Sequence, residues 1–142
     1  MKERRSRKGF TLIEILTVVL IIGLLGAFVA PRVFKGLGKA KRDIAVAKMA
    51  ILENALAQFY FHCGRFPTEA EGLDSLIVGP PDLEGKWAGR YCKQSDLFDP
   101  WGNRFLYFEG SGTPGDREYV LVSLGADGLE GGDGDNEDIT ND

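Results

Sequence analysis

At 142 residues the chain has room for one modest folded domain beside a membrane helix, and none for a second. Its 17 Lys and Arg against 21 Asp and Glu give a net charge of -4, and loss of the basic first nine residues would leave the rest near -8. So acidic a remainder excludes a nucleic-acid-binding face, and a single histidine with no C-x-x-C pair argues against zinc.

Residues 1–9 carry Lys2, Arg4, Arg5, Arg7 and Lys8 against Glu3, which keeps the N-terminus cytoplasmic by the positive-inside rule. From Phe10 to Ala30 the only ionisable side chain is Glu14. A helix over those residues is about 30 Å long, the thickness of a hydrocarbon core. A secretory signal would end at small residues after its apolar run, whereas here the small residue, Gly9, precedes it. A cut after Gly9 would therefore leave the membrane helix on the mature chain.

An unpaired carboxylate in a membrane segment costs a few kcal/mol, so Glu14 needs a partner or an escape. It can snorkel to the surface from the helix start. Alternatively, cleavage after Gly9 creates a free amine on Phe10, and an identical subunit shifted along an assembly axis could set its amine against Glu14. The run Lys8-Gly9-Phe10-Thr11-Leu12-Ile13-Glu14 ahead of the apolar segment resembles the signal of type IV prepilins and type II secretion pseudopilins. That resemblance implies cleavage between Gly9 and Phe10 by a prepilin peptidase, N-methylation of Phe10, and assembly through Phe10 and Glu14.

Pro31 ends the apolar run, and a kink or local melting of the helix is expected there. Gly36 and Gly38 weaken the stretch that follows, which in related filaments loses helicity on assembly. Ala45, Met49, Leu52, Leu56 and Phe59 then recur at alternating spacings of four and three, the stripe of an amphipathic helix packed on a sheet. Gly64 supplies its stop, with Pro67 just beyond. His62 edges the domain. Thr68 is placed to cap a short helix with Glu71 three residues on.

The segment Gly64-Arg65-Phe66-Pro67-Thr68, with Gly72-Leu73 and Leu76, resembles the head of the G-type major pseudopilin of type II secretion. So does Asp99-Pro100-Trp101-Gly102-Asn103-Arg104-Phe105-Leu106-Tyr107, which reads physically as a turn feeding a strand over 104–109. Gly115-Asp116 makes a break before a second strand, Tyr119 to Ser123. Trp87 and Trp101 belong to the core rather than to a sugar platform.

Between Asp127 and Asp142 lie seven acids and no base, which suits either a solvated tail or a calcium loop in which carboxylates and glycine-loop carbonyls supply the oxygens. The EF-hand pattern fails, since Asp138 stands where glycine is needed. Ser123-Leu124-Gly125-Ala126-Asp127-Gly128, Gly131-Gly132 and Asp138-Ile139 resemble the loop that binds calcium in G-type pseudopilins. Carried over, the metal ligands are the Asp127 and Asp138 carboxylates, the Leu124 and Leu129 carbonyls, and a third acid, Asp135 ahead of Asp133.

The resemblance covers leader, membrane segment, both head motifs and the loop. It implies an α+β type IV pilin-like fold: a leader at 1–9, a transmembrane and assembly helix at 10–30, an amphipathic helix at 31–63 and a periplasmic head at 64–142. It further implies a non-enzymatic, single-pass inner-membrane subunit that polymerises into the periplasmic pseudopilus and meets minor pseudopilins and an inner-membrane assembly platform. A type IV pilus or competence pilin is the alternative, disfavoured by the acidity; an anchored enzyme lacks any supporting constellation. Cys63 and Cys92 are not part of the family pattern, and their expected disulfide rests on an oxidising compartment alone.

Overall fold

The computed structural model describes residues 9–110 and 117–141, with backbone alone at 31–35. The leader residues 1–8 and the Gly115-Asp116 break lie outside the described residues. Two compact units divide between Leu37 and Gly38.

The first unit is helical from Leu12, the start of α1 (Leu12–Cys63). Its stretch Leu12–Ala30 has a mean hydropathy of 2.7, and none of it is buried within the chain. Apolar side chains facing outward all round suit a lipid surround, not a protein core. The one hydroxyl in mid-segment, Thr17, donates to the Ile13 carbonyl at 2.7 Å, as an apolar medium requires. The helix continues through Pro31, so of the expected kink or local melting, the melting is not found there. Proline removes its own donor only, and neighbouring turns can re-satisfy the freed carbonyl.

In the second unit α1 supplies Ala45, Met49, Leu52, Leu56 and Phe59, all buried, the stripe expected from the four-three spacing. α1 ends at Gly64, whose φ of +78° and bond from its N–H to the Tyr60 carbonyl at 2.8 Å form a left-handed cap. Thr68 and Glu71 then bond reciprocally: the Thr68 N–H donates to Glu71 Oε2 at 2.8 Å and the Glu71 N–H to Thr68 Oγ1 at 3.4 Å. They cap a turn, and the helix that follows is a 3-10 helix, Gly72–Leu76.

Three strands, β1 (Leu106–Glu109), β2 (Tyr119–Ser123) and β3 (Ile139–Thr140), form an antiparallel sheet in that order. β1 begins two residues later than expected, because Arg104 makes only an isolated bridge with Phe98 before the ladder starts. The Leu106–Val122 and Ser123–Ile139 pairs set the register. Phe105, Tyr107, Leu121 and Ile139 join the α1 stripe, Leu73, Leu76 and Leu97 in one core, with Trp87 and Trp101 packed on it.

The Cys63–Cys92 bridge is absent; both are free thiols. Cys63 is buried against Tyr91, while the next residue, Cys92, is half-buried and lines a groove with Ile51 and Lys93.

Candidate functional site

Two regions gather the functional residues. At the first, Gly9 and Phe10 are exposed and precede the helix, with Phe10 84% exposed. Glu14 does not stand alone. Its Oε2 accepts from the Thr11 N–H and the Thr11 hydroxyl, both at 3.0 Å, while the Glu14 N–H donates to Thr11 Oγ1 at 3.3 Å. This is a capping box: Thr11 is the N-cap, Glu14 sits at the third helical position, and two otherwise orphan amides are satisfied. T-x-x-E is legible in sequence as that signature.

The second region is the acidic loop from Leu124 to Asp138, held from below by the Asp99–Asn103 turn. Asp99 is buried, yet every lone pair it turns inward has a donor. Oδ1 accepts the Trp101 and Asn103 N–H groups at 3.0 and 2.8 Å, and Oδ2 accepts the Ser123 hydroxyl at 2.7 Å. Asn103 Nδ2 donates to the Gly125 carbonyl at 2.7 Å. Gly128 lies over Asn103, where a Cβ would stand 3.2 Å from Oδ1. The turn thus fixes both the end of β2 and the first residues of the loop.

Within the loop, Asp127 Oδ1 accepts the Leu129 N–H at 3.1 Å and Asp138 Oδ2 accepts the Gly131 N–H at 2.9 Å. Asp138 Oδ1 is buried with no hydrogen-bond partner among the described residues. A buried carboxylate oxygen without a donor is costly, and a hard cation is the species that would satisfy it. Leu124 and Leu129 lie on the same loop and offer their carbonyls. The donor set is therefore of calcium type, although among the described residues no three acidic, His or Cys side chains already converge on one point. Asp135, the expected third acid, has its carboxylate laid on α1: a Cβ on Gly38 would be 1.9 Å from Oδ1. Both acids are exposed, Asp133 just before the 3-10 helix Gly134–Asn136 and Asp135 within it.

A third constellation was not read from the sequence. Arg65 donates to both oxygens of Glu71 at 2.7 Å and to Asp82 at 2.8 Å, tying the first head motif to the 3-10 helix Pro81–Leu83. The Arg65 hydrogen bonds lower the Glu71 carboxyl to about 2, against the upward pull of burial. Burial raises the Tyr107 phenol, whose hydroxyl donates to the Pro67 carbonyl at 2.7 Å. Glu71, Arg65 and Tyr107 thus hold the first motif against the sheet.

Residues 4–30 match the prokaryotic N-terminal methylation motif. Residues 32–142 match the family described as type II secretion system (T2SS), protein G. The chain belongs to the type II secretion system protein G family. The type II secretion system core protein G of Vibrio cholerae serotype O1 is 40% identical over 144 residues, covering 99% of this chain and 95% of that protein. Its counterpart in Pseudomonas aeruginosa is 37% identical, covering 98% and 97%. The crystal structure of the major pseudopilin from the type 2 secretion system of enterohaemorrhagic Escherichia coli superposes with a TM-score of 0.57 at 25% identity, over 72% of this chain and 87% of that one. The protein G family thus spans both regions described above, the capped membrane helix and the head with its acidic loop.

Proposed function

We propose that the chain is the major pseudopilin of a type II secretion system. It is a structural subunit that polymerises into the periplasmic pseudopilus and drives folded proteins across the outer membrane. What carries this is continuity: a methylation motif over 4–30 and a protein G match over 32–142 together account for nearly the whole chain. No reaction is assigned to it. The leader is cut between Gly9 and Phe10 by a prepilin peptidase at the cytoplasmic face, and Phe10 is N-methylated. The mature subunit rests in the inner membrane with its head in the periplasm. Glu14 then takes the Phe10 amine of a neighbour during assembly, on a platform that also admits minor pseudopilins.

The acidic loop holds calcium. Asp138 Oδ1, Asp127 and the Leu124 and Leu129 carbonyls are its ligands, and with Asp135 laid on Gly38 the third acid is Asp133. Bound calcium supplies a divalent charge against the mutual repulsion of the tail acids. Any species bound only by the folded head stabilises it by about 2.7 kcal/mol at a hundredfold excess over Kd.

Mass spectrometry of the protein from a prepilin-peptidase-positive host should show a terminus at methylated Phe10; an intact Met1 would refute the processing. Filament assembly and protease resistance are then compared with and without EDTA in wild type and Asp138→Asn. Calcium-dependent protection should vanish in the variant, and equal resistance in all four samples would remove the metal role.

A further inference from the structure

The buried stripe of α1 does not stop at Ala45. One turn and two turns earlier on the same face stand Arg42 and Gly38, and Gly38 is buried. Glycine in a helix costs about 1 kcal/mol relative to alanine, so a buried glycine there calls for a close neighbour. That neighbour is the acidic loop: Asp135 lies where the side chain would be. Arg42 Nη1 reaches the same segment, donating to the Gly134 carbonyl at 3.1 Å and the Glu137 carbonyl at 3.3 Å, and pairing with Glu137 Oε2 at 3.2 Å.

From the other side the segment is gripped by the first turn of the loop. The Ala126 N–H donates to the Asp135 carbonyl at 2.8 Å, and a Cβ on Gly125 would stand 2.7 Å from the Asn136 carbonyl carbon. Residues 134–137, though exposed to solvent, thus have contacts both to α1 and to the 125–126 turn. Asp127 directly follows the 125–126 turn, and Asp138, with its unpartnered oxygen, directly follows the segment itself. An exposed ion pair alone is worth little, but an arginine bound to two backbone carbonyls fixes a backbone position.

We propose that Gly38 and Arg42 form a latch that seats segment 134–137 on α1 and thereby sets the spacing of the Asp127 and Asp138 carboxylates, linking cation occupancy of the loop to the order of the α1 turn at 38–42. The cation half rests on the calcium site proposed above; the seating half does not. Arg42 is a positioning residue and touches no metal. Linkage is reciprocal, so a cation that prefers the seated loop must also steady the helix turn.

The test uses the full chain in detergent micelles, with calcium chloride as the probe. Calcium binding is measured by titration calorimetry, and amide hydrogen exchange is followed over residues 39–46 and 124–138. Arg42→Met should weaken calcium binding about tenfold and abolish the calcium-induced slowing of exchange at 39–46, and Arg42→Lys should recover part of both. Gly38→Ala displaces the Asp135 carboxylate while favouring the helix. It should weaken calcium binding about threefold with a thermal midpoint no lower than wild type, a split that general destabilisation cannot produce, and it decides the matter if Arg42→Met does not fold. Wild-type affinity and exchange in both variants would overturn the latch. If the wild type binds no calcium, the calcium site falls. The latch is then judged by exchange over 124–138 in Arg42→Met without metal: faster exchange supports it and unchanged exchange refutes it.

Discussion

Glu71→Gln tests how the first head motif is held. Glu71 accepts both arms of Arg65 and the Thr68 N–H, with its side chain 21% exposed. Those bonds bring its carboxyl from 4.5 to about 2. A shift of that size corresponds to about 3 kcal/mol, and partial screening by solvent reduces it to roughly 2 kcal/mol. The sign follows from the lowered value: the stabilisation is complete above about 4.5 and is lost as pH falls from there towards 2. Urea unfolding is followed by the fluorescence of Trp87 and Trp101, both packed on the head core, in micelles that leave the membrane helix folded. Glu71→Gln should lose about 2 kcal/mol at pH 7, and the gap to wild type should close as pH drops to 2.5. A double-mutant cycle with Arg65→Met should return a coupling of at least about 1 kcal/mol. A gap that is constant with pH, or absent at pH 7, would refute the assignment of this stability to the Arg65 pair.

Asp99→Ala strips the acceptor from three donors, one of them in β2, and should cost about 2–4 kcal/mol by urea unfolding while lowering calcium affinity in calorimetry. Both cysteines should titrate as thiols in the denatured, unreduced protein. In the folded protein Cys92, raised to about 11 by burial and Asp96, should react with a thiolate-specific reagent at pH 8 roughly a hundredfold more slowly than when unfolded. Gly64→Ala forces a side chain onto a φ of +78° and should destabilise the head by about 1 kcal/mol, read from the same fluorescence transition.

Local patterns were the legible part of this chain. The four-three stripe from Ala45 to Phe59 named the buried face of α1, and a short apolar run after a turn signal named β2 with its bounds, because each signal is carried by neighbouring residues. β3 was hidden: two residues, Ile139 and Thr140, carry no period, and they sit in a run whose charge pointed elsewhere. The Asp99 turn was readable as a turn, but its grip on Ser123, 24 residues away, is set by the fold. Of the acidic loop, composition and motif named the anchors Asp127 and Asp138. Only packing could reveal that Asp135 is spent on Gly38, since nothing between residues 39 and 134 records that contact. The disulfide was argued from compartment alone, and a compartment says nothing about whether two side chains meet; both cysteines are free.

The Thr11–Glu14 box changes what joining a filament means for one subunit. Both Thr11 donors fall on Oε2, so the helix cap orients Glu14 while its other oxygen keeps room to accept, and in the assembly proposed above a neighbour's amine offers that oxygen a charged donor. A neutral or uncut N-terminus brings no such offer. A full positive charge at the right depth adds a charge-assisted bond and leaves the Thr11 amide where it is. On that proposal, joining a filament adds a partner to a carboxylate its own helix cap has already oriented, and it is conditional on processing.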